Sequence, residues 1–136
     1  MDIQKNIDSN EIEENLRRIL YIENAADKSI EWAMNYITFS PCKRVRPLLL
    51  IEANKIFGAP DEDSHLLSAA IELIHTYSLV HDDLPCMDDD DLRRGVPTIH
   101  KIKDEAFAVL TGDALLTRAF GILSGYSKVD KLPAVL

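Results

Sequence analysis

Six aspartates, Asp82, Asp83, Asp88, Asp89, Asp90 and Asp91, fall within ten positions, and Arg93 and Arg94 follow them. Like charges packed this closely disfavour their own ionised forms unless cations compensate. One reading is a solvated acidic loop. The other is a hard-cation site: magnesium takes one or two carboxylates, keeps several waters and shares the oxygens of a bound phosphate. Guanidinium forks beside such carboxylates suit a phosphate or diphosphate, which they grip through paired hydrogen bonds. The spacing excludes a calcium loop of the EF-hand type, which needs glycine at its sixth position. Counted from Asp82 or Asp88, that position is Met87 or Arg93. His65, His75, His81 and His100 form no HExxH pair. His65 and His100 read as surface residues, and His81 as a cap on a helix C-terminus.

Two other groups bear on the same chemistry. His75 lies seven residues before Asp82, about 20° short of two full helical turns, and Ser78 lies one turn before it, so His75, Ser78 and Asp82 share a helix face. Upstream, Lys43-Arg44-Val45-Arg46-Pro47 opens a helix. This cluster is either a solvated turn or an anion site, where the unpaired N–H groups of a helix start add to the side-chain charge.

The elements that must position these groups read as helices throughout. Asn10 with Glu13 resembles a capping box, and Ile12, Leu16, Ile19 and Leu20 recur at helical spacing. Ile30, Ala33, Met34 and Ile37 continue the stripe up to a break at Phe39-Ser40-Pro41-Cys42. Pro47 suits a first helical turn, and Gly58 stops the short apolar helix that follows; Gly58-Ala59-Pro60 reads as a turn. A third helix runs from about Asp61–Ser64 to His81, with Leu66, Leu67, Ala70, Ile71, Ile74 and Ser78 on one face. Pro85 and Gly95 bracket the acidic segment. The last helix spans about Asp104 to Leu123, with Phe107, Leu110, Ala114, Leu115 and Ile122 as expected core, and Gly112 and Ala114 allowing close packing. No segment alternates, so no strand is expected. The fold class is all-α.

The chain has 136 residues, 46% of them hydrophobic, enough for a core. Its net charge is −8, and the six clustered aspartates supply most of it. Such a balance argues against nucleic-acid binding, which needs a basic surface, and against attraction to anionic membranes. No apolar run approaches the roughly 20 residues of a membrane span, and residues 1–18 do not look like a secretory signal. Cys42 and Cys86 are far apart in sequence and suit a reducing cytoplasm, the expected location. The segment 128–136 follows the last helix without a closing element. The chain is either a small complete bundle or the front of a longer helical fold.

The segment from His75 to Gly95, read as HTYSLVHDDLPCMDDDDLRRG, resembles the first aspartate-rich motif of the trans-isoprenyl diphosphate synthases. Lys43-Arg44-Val45-Arg46-Pro47 is similar to that family's upstream basic motif, and Gly112-Asp113-Ala114-Leu115-Leu116 to the segment that follows. The resemblance covers most of the chain from about residue 35, with three motifs in order.

It implies an all-α helical bundle of the isoprenoid synthase type around a deep cavity, usually homodimeric. Residues 1–136 would be the N-terminal portion of that single domain, truncated after its first several helices. It also implies magnesium-dependent condensation of an allylic diphosphate with isopentenyl diphosphate. Carried over by residue, Asp82 and Asp88 would hold magnesium and Arg93 the allylic diphosphate. Lys43, Arg46, His75 and Arg94 would hold isopentenyl diphosphate. No group is singled out as a catalytic acid or base. Tyr77, with Ser78, would floor the product pocket, as in farnesyl diphosphate synthases of the bacterial and plant-type subgroup, which the Pro85-Cys86 pair also resembles. The bulk of Tyr77 favours a C15 product over C20.

Two departures stand out. Pro41-Cys42 replaces the family's usual Gly-Gly, and no second aspartate-rich motif is present, since Asp130 is the only acidic residue after Asp113. The alternative function is a non-catalytic helical partner that modulates a longer synthase. A terpene cyclase fits less well, because Arg93-Arg94 and the Lys43 cluster suit a second diphosphate. Apolar positions along Leu110–Leu123 are expected to drive self-association if nothing else covers them.

Overall fold

The computed structural model describes residues 9–58 and 61–125, so Ala59, Pro60 and the segment 128–136 lie outside the described residues. Six helices and one small β-ribbon follow in order: α1 Ser9–Leu20, α2 Ile30–Thr38, α3 Val45–Ile56, α4 Asp61–Asp82, β1 Leu92–Arg93, β2 Val96–Pro97, α5 Ile99–Ile102 and α6 Glu105–Ser124. The all-α expectation holds for everything except that ribbon.

Local chemistry sets the helix boundaries. The Ser29 hydroxyl accepts from the Trp32 N–H at 3.1 Å, and the Asp104 carboxylate accepts from the Phe107 N–H at 2.7 Å; each satisfies a donor that a helix start leaves unpaired. Gly58 ends the stretch after α3 with φ +66°, a conformation glycine adopts without a Cβ penalty. Asn35 braces the α1–α2 connection from both sides: its amide donates to the Ile22 carbonyl at 2.7 Å and accepts from the Ile22 N–H at 3.0 Å.

α4 is the central element, packed mainly on α6 and α3 and also touching α1 and α2. Leu16 of α1, Ile37 of α2, Leu73 and Val80 of α4 and Leu115 of α6 meet in one core and are almost wholly excluded from water. Burying each such side chain stabilises the fold by about 1.5–3 kcal/mol. The buried face of α4 is rotated from the expected one. Ala69, Leu73, Thr76 and Val80 are inside, whereas Leu66, Leu67, Ile71 and Ile74 are only half-buried. Periodicity misleads here because α4 has neighbours on several sides, so burial is not confined to one apolar stripe.

Four other expectations are corrected. The segment 92–97 forms a two-stranded antiparallel ribbon, pairing Leu92 with Pro97 and Arg93 with Val96; two-residue strands are too short to show alternation. Asn10 lies inside α1, and the Glu13 carboxylate reaches Arg44 instead of its own helix start. Leu110 is 57% exposed on α6, beside the exposed Val109 and not far from the exposed Phe120. His100 is buried, its Nδ1 3.2 Å from the Thr98 hydroxyl. The length and mean composition of α6 also meet the criterion for a membrane span, although Asp113 and Arg118 interrupt it and Phe107, Thr111, Leu115 and Ala119 are buried.

α4 and α6 approach closely where His81 lies over Gly112. A Cβ built on Gly112 would meet His81 Nε2 at 2.2 Å, and the same nitrogen lies 3.1 Å from the Val109 carbonyl. His81 therefore packs across to α6 rather than capping its own helix. Gly112→Ala should gain about 1 kcal/mol of helix propensity and lose about 1–3 kcal/mol to overpacking, for a net destabilisation. In a His81→Ala background the same substitution should become stabilising. Urea unfolding of the four variants checks this; equal effects in both backgrounds would contradict the contact.

Candidate functional site

The basic cluster at the start of α3 is shaped by one buried arginine. Arg44 is the residue before the helix, has a left-handed backbone with φ +47°, and is 8% exposed. Its Nε donates to Glu13 of α1 at 2.9 Å and its Nη1 to Glu72 of α4 at 2.8 Å. Burial works against the Arg44 cation, but the hydrogen bonds it donates to both carboxylates outweigh it and leave its pKa above the usual arginine range. Arg44 thus ties α1, α3 and α4 together. Pro41 and Cys42 adopt no positive φ, so replacing glycine there brings no left-handed strain.

With Arg44 turned inward, Lys43, Arg46 and His75 surround a cavity of about 180 Å³ whose floor is Glu72 and Arg44 and whose far wall is Arg94. Cys42 and the first turn of α3 complete it. Arg46 Nη1 lies 3.1 Å from His75 Nε2. A guanidinium can only donate, so His75 Nε2 accepts and the ring is the neutral Nδ1–H tautomer. Burial first, and then the neighbouring Arg46, holds the His75 pKa below its ordinary value.

Arg94 arrives from the ribbon. Arg94 and Gly95 both have positive φ, 55° and 79°, as a two-residue turn between right-twisted strands requires. The turn lets Arg94 reach Ser40, with Nη1 donating to its hydroxyl at 3.4 Å, and Glu72, with Nη2 at 3.7 Å. Lys43, Arg46, His75 and Arg94, which the sequence grouped, are therefore brought together. Arg44 and Glu72 were missed. The available signal was a lone glutamate on the apolar stretch of α4, three residues before His75.

The aspartate segment folds back on the end of α4. The Asp88 N–H donates to the Asp82 carbonyl at 2.8 Å and the Asp90 N–H to the Asp83 carbonyl at 3.2 Å. Arg93 does not line the cationic cavity. Its Nε donates to Asp83 at 2.9 Å and its Nη2 to Asp90 at 2.9 Å. Asp83 is buried, which pushes its carboxyl pKa up even though Arg93 pulls the other way. Asp91 pairs instead with Lys101 at 2.8 Å.

Asp82 is half-buried and Asp88 exposed, and among the described residues no lysine or arginine forms an ion pair with either. The C-terminal carbonyls of α4 add partial negative charge at the same place. No three metal-ligating side chains converge among the described residues. Two unneutralised carboxylates at a negative helix end fit magnesium, which is held by few protein ligands together with substrate oxygens. Tyr77 is half-buried with its ring edge-on to His81 at 4.9 Å, and the Ser78 hydroxyl donates to the His75 carbonyl at 2.8 Å within the helix.

The depressed His75 pKa has a definite pH signature. Below the ordinary value of 6.5 the unfolded chain takes up a proton that the folded ring resists, so stability should fall as the pH drops below 6.5. An NMR titration of the His75 ring should give a midpoint below 6.5, moving upward when inorganic diphosphate is added. A midpoint at or above 6.5 in the unliganded chain would contradict the burial of the ring beside Arg46.

Comparison with known proteins gives the context. Residues 27–136 match the polyprenyl synthetase family. The chain is 49% identical over 98 residues to the farnesyl diphosphate synthase of Bacillus subtilis, covering 72% of this chain and 33% of that protein. It is 54% identical over 91 residues to a chloroplastic geranylgeranyl pyrophosphate synthase of Capsicum annuum, covering 67% of this chain and 25% of that protein. Among solved structures, a geranyltransferase from Legionella pneumophila superposes with a TM-score of 0.80 at 39% identity, over 97% of this chain and 45% of that one. The chain thus spans between a quarter and a third of the length of the curated relatives it matches and under half of that solved chain. A helical fold shared with these structures, with the basic cluster and the aspartate segment inside the matched region, makes this chain a member of the polyprenyl synthetase family.

Proposed function

We propose that this chain carries the first-motif half of a magnesium-dependent prenyltransferase site, one that condenses geranyl or dimethylallyl diphosphate with isopentenyl diphosphate to give farnesyl diphosphate. The observation that carries the reading is the pairing of a cationic cavity and a carboxylate patch on one helix. His75 lines the first and Asp82 belongs to the second, about 10 Å apart along α4 at 1.5 Å per residue. Two diphosphates, one held by cations and one by a metal that the carboxylates would hold, suit that arrangement.

In this reading Lys43, Arg46, His75 and Arg94 hold isopentenyl diphosphate and orient its double bond. Asp82 and Asp88 would hold magnesium, which would supply positive charge to the allylic diphosphate. The allylic carbon–oxygen bond breaks and diphosphate leaves. The double bond of isopentenyl diphosphate then attacks the allylic cation, and a proton is lost. Arg93, held by Asp83 and Asp90, keeps guanidinium charge beside the departing diphosphate. The protein's part is positioning and electrostatic stabilisation, and neither requires a side chain to change covalently. Tyr77, braced on His81, supports the C15 product by shortening the room for the growing chain. The exposed free thiols Cys42 and Cys86 accord with a reducing cytoplasm.

The test is a condensation assay with isopentenyl diphosphate, geranyl diphosphate and magnesium, with product length read out. Farnesyl diphosphate is the expected product, and Asp82→Ala should lower turnover by about two orders of magnitude or more while leaving the fold intact. Unchanged turnover in Asp82→Ala would overturn the metal assignment. No product from a folded sample would favour the second reading, a helical partner of a longer synthase.

The exposed Val109, Leu110 and Phe120 of α6 support self-association. Sedimentation should show a dimer or larger species, and a monomer at high concentration would contradict this.

A further inference from the structure

The carboxylate of Glu72 sits at the floor of the cationic cavity, where simple electrostatics would place none. It is 2% exposed, and its Oε1 accepts from Arg44 Nη1 at 2.8 Å, with Arg94 Nη2 at 3.7 Å and Cys42 Sγ at 3.8 Å. Lys43, Arg44, Arg46 and Arg94 line the cavity with positive charge, and Glu72 offsets part of it. A negative charge there repels an incoming anion. The same carboxylate also fixes guanidinium groups that would otherwise lose side-chain freedom on binding. These two effects have opposite signs.

We infer that Glu72 is a positioning residue, whose buried carboxylate holds Arg94 and Arg44 in the arrangement that receives a diphosphate; the inference rests on reading the cavity as a diphosphate site. Positioning outweighs repulsion for two reasons. Arg94 projects from a left-handed turn residue, and Ser40, at a long 3.4 Å, is its other polar contact near the cavity. Arg44 is inside the protein, and without Glu72 it would keep Glu13 alone as a partner. A loosened Arg94 and an undercompensated Arg44 would both move the cavity wall away from the geometry that grips phosphate oxygens.

Calorimetric titration of inorganic diphosphate into the wild-type chain, Glu72→Gln, Arg94→Ala and the double variant distinguishes the two effects. Glutamine keeps the shape and one acceptor oxygen but removes the charge. If Glu72 positions, Glu72→Gln should bind about tenfold more weakly, the loss of roughly one charge-assisted hydrogen bond, despite the more positive cavity. The double variant should then lose less than the sum of the two single losses, because part of the Glu72 effect runs through Arg94 and part through Arg44. Equal or tighter binding by Glu72→Gln, or fully additive losses in the double variant, would overturn the inference. A wild-type chain that binds no diphosphate would instead overturn the diphosphate reading of the cavity, and with it this role for Glu72. Should Glu72→Gln fail to fold, Arg44→Gln with Glu72→Gln removes both buried charges together. That variant should still bind diphosphate about tenfold more weakly, and wild-type affinity in it would equally overturn the inference.

Discussion

The buried ion pair between Arg44 and Glu72 is the constraint on which the rest of the architecture depends. A buried arginine loses its hydration and must recover it through paired, well-aligned hydrogen bonds. Arg44 does so with Glu13 of α1 and Glu72 of α4, and in doing so fixes the direction in which α3 leaves its loop. Because Arg44 points inward, Lys43 and Arg46 on either side of it are available to the cavity. The pair does not make the fold more stable than an apolar core would. What it adds is a single arrangement of three helices around a polar cavity, and breaking one partner would leave the other charge buried without compensation.

α4 turns that arrangement into a site. Successive turns of this one helix present Glu72 and His75 to the cationic cavity, then His81, with Tyr77 edge-on against it, to α6, and finally Asp82 at its C-terminus. The helix rise fixes the spacing between the two charged regions. The helix dipole deepens the negative potential at the aspartates. Arg93 and Arg94, adjacent in sequence, are sent opposite ways by the ribbon turn. Arg93 neutralises Asp83 and Asp90, while Arg94 crosses to Ser40 and Glu72. Asp82 and Asp88 form no ion pair with a lysine or arginine among the described residues, although Arg93 is near enough to Asp88 to feel its charge.

Much of this was legible in the residues. The helices α3, α4 and α6 are where apolar spacing, Pro47, Gly58 and the aspartates put them, whereas the stripe read as continuing from Ile12 to Ile37 is two helices, α1 and α2, separated at 21–29. Lys43, Arg46, His75 and Arg94 converge as the family resemblance implied. The failures share a cause: each involved a contact between elements distant in sequence. Glu13 was read as part of a local capping box, yet it serves Arg44, 31 positions away. His81 was read as a local cap, yet it packs on Gly112. His100 was read as a surface residue, yet the turn at Thr98 folds it inside. Leu110 has the helical spacing of a core residue but faces outward.

The sequence by itself determined the inventory: an all-α frame, a carboxylate cluster at the end of one helix, a basic cluster at the start of another, and the family both belong to. These follow from residue type and the helical repeat, which are local properties. Only the tertiary structure decided which cation serves which anion. Arg44 ties α1, α3 and α4 together from the cavity floor and Arg46 contacts His75; Arg93 turns to the aspartates and Arg94 to Glu72. Neighbouring arginines are chemically identical in a sequence. They acquire different roles only when burial, backbone handedness and the partners across the bundle set a different electrostatic environment for each.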